Sequence, residues 1–230
     1  MTDNTFYSSL FYLREYFFPS GCGGCGEALV NAEEAYYGLC GRCRTFFAAA
    51  LREERHRRTG DLPKKFSALF PYTGKFRVIL GAYKFGKALG LGNFFVHCLK
   101  DALGDFDPEE IRKAAWVPVP PRPGKIRKQG WDQIDYLAML LERDSRRGGK
   151  NHSLPVCRCL KRLPSRSQKE LNRDERKSNL KGHILCSKPT PETAVIFDDV
   201  VTTGTTMEAC AGALLDKGAR RIYGVCLFYD

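Results

Sequence analysis

One stretch near the end of the chain limits its fold more than any other. Val195-Ile196-Phe197-Asp198-Asp199-Val200-Val201-Thr202-Thr203-Gly204-Thr205-Thr206 joins an apolar run to two carboxylates and then to a hydroxyl-rich turn around glycine. The run is β-branched and aromatic, as a buried strand is, and Met207 to Lys217 reads as a helix with Met207, Cys210, Ala211 and Leu214 on one face. Gly218 ends that helix and Ile222 to Tyr229 offers a second strand. The turn therefore falls between the carboxyl end of a strand and the amino end of a helix, where open α/β sheets place their ligands.

The chemistry follows from that position. Unpaired N–H groups of residues 203 to 206 and the positive end of the helix dipole suit a phosphate, and Gly204 lets the backbone come close to it. The threonine hydroxyls add donors. Asp198 and Asp199 can accept hydrogen bonds from vicinal ribose hydroxyls, or hold a Mg²⁺ carried by the sugar phosphate. No lysine follows Gly204, so the triphosphate loop GxxxxGK[ST] is excluded. A ligand-free alternative is a plain strand, an Asp-rich turn and a threonine-capped helix, but two acids closing an apolar strand are costly without a partner.

A second pattern lies near the other end. Cys22-Gly23-Gly24-Cys25 and Cys40-Gly41-Arg42-Cys43 are two CxxC turns separated by fourteen residues. Small residues let each turn aim two thiolates at one ion, and a closed Cys₄ set of Cys22, Cys25, Cys40 and Cys43 predicts structural Zn²⁺ rather than a catalytic metal. Such a site folds a segment too small for its own core. Disulfide or redox pairing is the alternative. Of the other six cysteines, Cys98, Cys210 and Cys226 sit in apolar patterns as small core residues, while Cys157 and Cys159 have no second pair nearby.

With 230 residues and 43% hydrophobic content, the chain can bury one substantial core and carry a small appendage. The expected division is a helix and zinc ribbon over residues 1–60 and a larger α/β domain over 61–230. Within it, residues 1 to about 20 read as an opening helix and Phe46 to Arg58 as an amphipathic helix. A linker is punctuated by Asp61-Leu62-Pro63 and Pro71. Lys75 to Leu103 is helical with glycine breaks, Trp116 to Val119 is a strand, Gly130 to Arg143 is the helix after it, and residues 146–151 form an exposed turn. No apolar stretch reaches the length of a membrane span, so no membrane insertion is expected. The polar opening residues lack a secretory pattern, and with thiolate metal ligands this predicts a cytoplasmic protein. Between Arg158 and Lys181 the chain is strongly basic with little to bury, and Asn172 with Glu175 makes a capping box.

Several of these segments together carry a family resemblance. Phe197 to Thr206 resembles the phosphoribosyl pyrophosphate (PRPP) signature of type I phosphoribosyltransferases. Ala82-Tyr83-Lys84-Phe85-Gly86, Trp116-Val117-Pro118-Val119-Pro120-Pro121, Gln129-Gly130-Trp131-Asp132-Gln133 and Arg166-Ser167-Gln168-Lys169-Glu170-Leu171 resemble, in order, further motifs of the ComF family. Trp131 and Asp132 depart from that family's usual aromatic and Asn. The resemblance implies a type I phosphoribosyltransferase-like fold, a mostly parallel central sheet flanked by helices, with the zinc ribbon in front. It implies that Asp198 and Asp199 bind ribose hydroxyls, that Thr202, Thr203, Gly204, Thr205 and Thr206 bind the 5′-phosphate, and that Val200 and Val201 belong to the same PRPP-binding segment. Pro120, Pro121, Arg122 and Lys125 would meet pyrophosphate with Mg²⁺, and a flexible loop holding Arg166, Gln168, Arg173 and Arg176 would fold over it. A solvated charged hairpin is the other reading of that loop. Phosphoribose would pass to a nitrogen of an unidentified nucleobase or amine. Tyr83, Lys84 and Phe85 are base-side candidates, or equally helix packing.

A non-enzymatic reading stands beside this one. The net charge of +11, with Arg42, Arg44, Arg52, Arg55, Arg57 and Arg58 near the Cys₄ segment, is the footprint of a nucleic-acid-binding module. ComF relatives are linked to DNA uptake in competence beside a helicase-like ATPase, which implies single-stranded DNA as a partner. Tyr36, Tyr37, Phe46 and Phe47 would then stack on bases, or else pack around the metal segment.

Overall fold

The computed structural model describes residues 21–59, 63, 65–146, 154–164 and 183–230. The opening helix over residues 1–20, the turn at 146–151 beyond Arg146 and the loop carrying Arg166, Gln168, Arg173 and Arg176 lie outside them. The described chain runs α1 (Ala32–Tyr37), α2 (Gly41–Glu53), β1 (His56–Thr59), β2 (Lys65–Pro71), α3 (Gly74–Lys84), α4 (Leu91–Ala102), α5 (Pro108–Ile111), β3 (Ala114–Pro118) and α6 (Lys125–Gln129). It continues with α7 (Gln133–Arg146), β4 (Leu160–Arg162), β5 (Ile184–Cys186), β6 (Thr193–Val201), α8 (Thr205–Leu215) and β7 (Arg221–Tyr229).

The main sheet has the order β1-β2-β7-β6-β3, with β2, β7, β6 and β3 parallel and β1 antiparallel at the edge. Both faces are covered, so residues 194–197 of β6 and 222–228 of β7 form continuous buried apolar runs instead of alternating with polar residues. Successive side chains of β6 go to opposite sides. Val195 and Phe197 join a core with Trp116, Leu69, Val225 and residues of α2, α3, α4 and α7, whereas Ala194 and Ile196 join a second core with Cys226 and α8. The fold is thus an α/β layer structure around four parallel strands. Cys98, Cys210 and Cys226 are fully buried, as expected of small core residues.

Three elements differ from the sequence reading. The expected linker contains β2, whose Ala68, Leu69 and Phe70 are buried because they pair with β7 and meet both cores. The helix drawn from Phe46 to Arg58 stops at Glu53, and the chain then turns into edge strand β1, pairing His56 with Ala68. The helix drawn from Gly130 begins instead at Gln133. Gly130 closes the short α6 with φ 77°, and the Asp132 carboxylate accepts the Ile134 and Asp135 N–H groups at 3.0 and 2.9 Å, capping α7.

Helix α2 ties the cysteine segment to the sheet. Phe47 on it is 1% exposed and lies with its ring 6.3 Å from Phe70, 5.7 Å from Phe76 and 6.1 Å from Phe94. Among the described residues no helix is long and apolar enough to cross a membrane.

Candidate functional site

At the carboxyl end of β6 the chain passes through Asp198 and Asp199, leaves the strand after Val201, and enters α8 at Thr205. Gly204 adopts φ 78° there, a left-handed conformation that a side chain resists, so glycine is what lets the strand turn directly into the helix. Thr202 and Thr203 are exposed, Thr205 is buried, and the hydroxyls of Thr203 and Thr205 stand 2.9 Å apart. The turn thus offers hydroxyls and the unpaired N–H groups of the first turn of α8, a donor-rich cup suited to an anion.

The two acids play unequal parts. Asp199 is 7% exposed, and its Oδ2 receives the Lys84 ammonium at 3.0 Å and the Gln133 amide N–H. The Gln133 Oε1 in turn accepts from Lys125 at 2.5 Å, and Lys125 reaches Asp132 at 2.6 Å. The Tyr83 hydroxyl donates to the Gln133 carbonyl at 2.9 Å. One polar chain therefore runs from the end of α3, across the end of β6, to the start of α6. Asp198 is half-buried and accepts its neighbour's N–H at 2.8 Å. Burial of its carboxyl against protein, and next the negative charge of Asp199, push Asp198 up to about 8, with the Asp199 N–H and Lys84 pulling the other way. Across from it, Arg162 on β4 is held below the usual guanidinium range by burial and by the nearby charge of Arg122.

Asp198, Asp199, Thr202 to Thr206 and Lys125 thus gather at one edge of the sheet, with Pro120 buried and Pro121 half-buried after β3 and Arg122 exposed in the loop beyond. Of the base-side trio, Tyr83 is fully buried, edge-on to Phe95 and Trp131; Lys84 turns to Asp199; and Phe85 is 82% exposed. Gln133 and Arg162 were absent from the sequence-based site. Gln133 stood in a recognised motif, but nothing in a single sequence shows that its amide meets an acid 66 residues away.

The four thiols of Cys22, Cys25, Cys40 and Cys43 converge, their sulfurs all within 4.8 Å of one another and Cys25 to Cys40 at 3.7 Å. A tetrahedron of Zn–S bonds places sulfurs roughly 3.8 Å apart, so the cluster can hold a metal ion such as zinc. N–H groups of Gly24 and Cys40 donate to the Cys22 sulfur at 3.4 and 3.3 Å, the support a thiolate ligand needs. A Cβ at Gly24 would lie 2.9 Å from the Cys43 sulfur and 3.2 Å from the Phe47 ring, so the knuckle is closed down to the backbone. Burial pushes the Cys22 thiol up, but the N–H groups of Cys40, Cys25 and Gly24 outweigh it and bring it to about 7, while burial raises Cys40 and Cys43. A divalent cation relieves that conflict by taking all four as thiolates.

Three of the arginines near this cluster are paired with carboxylates. Arg42 pairs with Glu27 at 2.5 Å, Arg44 pairs with Glu33, and Arg55, 6% exposed, is bound to Asp101 and Asp105. Tyr36 and Phe46 are exposed, whereas Phe47 is core. Compared with protein-family models and with curated proteins, the chain matches none.

Proposed function

We propose that the chain is a PRPP-binding phosphoribosyltransferase of the type I fold and ComF type, transferring phosphoribose to a nitrogen acceptor with release of pyrophosphate. One observation carries this reading: two carboxylates and a hydroxyl-lined helix entry meet at the carboxyl edge of a parallel sheet, within reach of lysine and arginine side chains. The 5′-phosphate sits on the N–H and hydroxyl donors of Thr202 to Thr206. Asp198 accepts the ribose hydroxyls, with Asp199 held behind it by Lys84 and Gln133. Arg122 and Lys125 face the leaving pyrophosphate, and the Mg²⁺ that accompanies PRPP supplies further charge neutralisation. Departure of pyrophosphate leaves positive character on the ribose ring, which the acceptor nitrogen quenches from the opposite face. The chain's contribution is positioning and electrostatic stabilisation, so no protein nucleophile is required. Of the Tyr83-Lys84-Phe85 trio, Phe85 is the exposed aromatic left to meet an acceptor.

A screen of nucleobases and amines with PRPP and Mg²⁺, followed by pyrophosphate release, tests the proposal. Release that depends on the acceptor and is lost in Asp198→Asn/Asp199→Asn supports it. Release unchanged in that variant overturns it.

A second reading, single-stranded DNA binding, draws on the exposure of Tyr36 and Phe46. It is opposed by the carboxylate pairing of Arg42, Arg44 and Arg55. It predicts affinity for single strands that falls with salt at a slope of about 0.7 per phosphate contact.

A further inference from the structure

The acidic pair is gripped from outside its own strand, and the grip is asymmetric. Asp199 meets a cation from α3 and an amide from α7 on one oxygen, while Asp198 has a backbone N–H from its neighbour. Lys84 is 22% exposed at its side chain, so it is partly withdrawn from water and its charge is weakly screened. A lysine in such a place has two roles open to it. It can be an incidental ion pair, or it can set the state in which the two adjacent carboxylates meet a ligand.

Two carboxyl groups on successive residues oppose each other's ionisation. The charged and titratable groups around Asp198 come from several neighbouring elements, the two buried thiols among them neutral. Asp199 adjoins it, Lys84 lies on α3, and Asp132 lies before α7. Arg162 lies on β4, Cys210 on α8 and Cys226 on β7. Lys84 is the cation among them in direct contact with the pair, since Lys125 is bound through Asp132 and Gln133.

We infer that Lys84 is the positioning residue of the acidic pair: it pins Asp199 against Gln133 and so fixes the geometry in which the pair meets the hydroxyls of a sugar phosphate. This rests on the reading of the site as a PRPP cradle. The Gln133 bridge extends the arrangement to Lys125, so the ribose and pyrophosphate sides share one hydrogen-bonded chain. Lys84 touches neither reacting atom in this scheme; it acts through Asp199 and Asp198.

The test uses the full chain and two independent readouts. PRPP with Mg²⁺ is titrated calorimetrically into wild type, Lys84→Met and Lys84→Arg, with thermal unfolding to verify that each variant is folded, and the ¹H–¹⁵N signal of the Gln133 side-chain amide is followed in ligand-free protein. Lys84→Met is expected to weaken binding about tenfold and to move the Gln133 amide signal, because Asp199 is no longer held against it. Lys84→Arg is expected to return the signal and to restore affinity to within about threefold. A Lys84→Met protein that binds PRPP as wild type does overturns the assignment. If wild type binds no PRPP, the PRPP reading itself fails, and the Gln133 signal alone then decides the role of Lys84. Displacement of that signal in Lys84→Met, reversed in Lys84→Arg, supports the role, and no displacement overturns it.

Discussion

Replacing Phe47 by Ala strikes the joint between the cysteine segment and the sheet. Phe47 follows Cys43 by one helical turn on α2, so the candidate metal ligand and the buried ring share a helix face. Its side chain is 1% exposed and meets Phe70, Phe76 and Phe94. Removing about 150 Å² of buried apolar surface at about 25 cal/mol per Å² costs about 4 kcal/mol, inside the range of about 3–5 kcal/mol for Phe→Ala in a core. Since domains are held by about 5–15 kcal/mol, that is a large share of the whole. The vacated space also lies beside Gly24, whose knuckle is shaped by the Cys43 sulfur and this ring. Urea unfolding followed by far-ultraviolet circular dichroism measures the first effect, and zinc release to a chromogenic chelator measures the second. Both are expected, at overlapping urea concentrations. A loss below about 1 kcal/mol, or a zinc site that holds its ion as wild type does, refutes the coupling.

Further outcomes follow from the same geometry. Gly24→Ala is expected to lower zinc retention, because its methyl group would press on the Cys43 sulfur at 2.9 Å; metal content equal to wild type after dialysis against a chelator counts against a closed Cys₄ site. Arg55→Ala strips the cation from Asp105, which is 7% exposed at its side chain, and should cost about 3–5 kcal/mol in urea unfolding; a change under about 1 kcal/mol would mean that the pair is solvated. Asp198 is raised from 3.8 to about 8 in the folded chain, so the fold binds its proton more tightly than the unfolded chain does. Its contribution to stability is therefore complete below about pH 4 and is lost as pH rises through about 8. Urea midpoints should fall more for wild type than for Asp198→Asn between pH 6 and 9, and parallel curves would contradict this.

What could be read from the sequence was local. The β6-turn-α8 unit is contiguous, and its apolar run, acids, glycine and helical face each report on the same few residues. The thiol cluster was legible for the same reason: each CxxC is one turn, and only the meeting of two turns had to be inferred. Strand β2 was hidden because Lys65 opens it and Pro71 closes it, and its burial comes from pairing with β7 at the far end of the chain. Edge strand β1, His56-Arg57-Arg58-Thr59, has no apolar pattern at all and is a strand through its pairing with β2. Lys84 was grouped with its sequence neighbours Tyr83 and Phe85, yet the helix sends these three side chains to a core, an acid and solvent. Side-chain meetings across the sheet, such as Lys84 and Gln133 on Asp199, need the topology before they can be seen.

The central claim is most directly tested by calorimetric titration of PRPP with Mg²⁺ into wild type and Asp198→Asn/Asp199→Asn. Saturable binding at one site per chain in wild type, lost in a double variant that still melts cooperatively, is the predicted result. Binding of equal strength in both proteins, or none in wild type, would contradict the account.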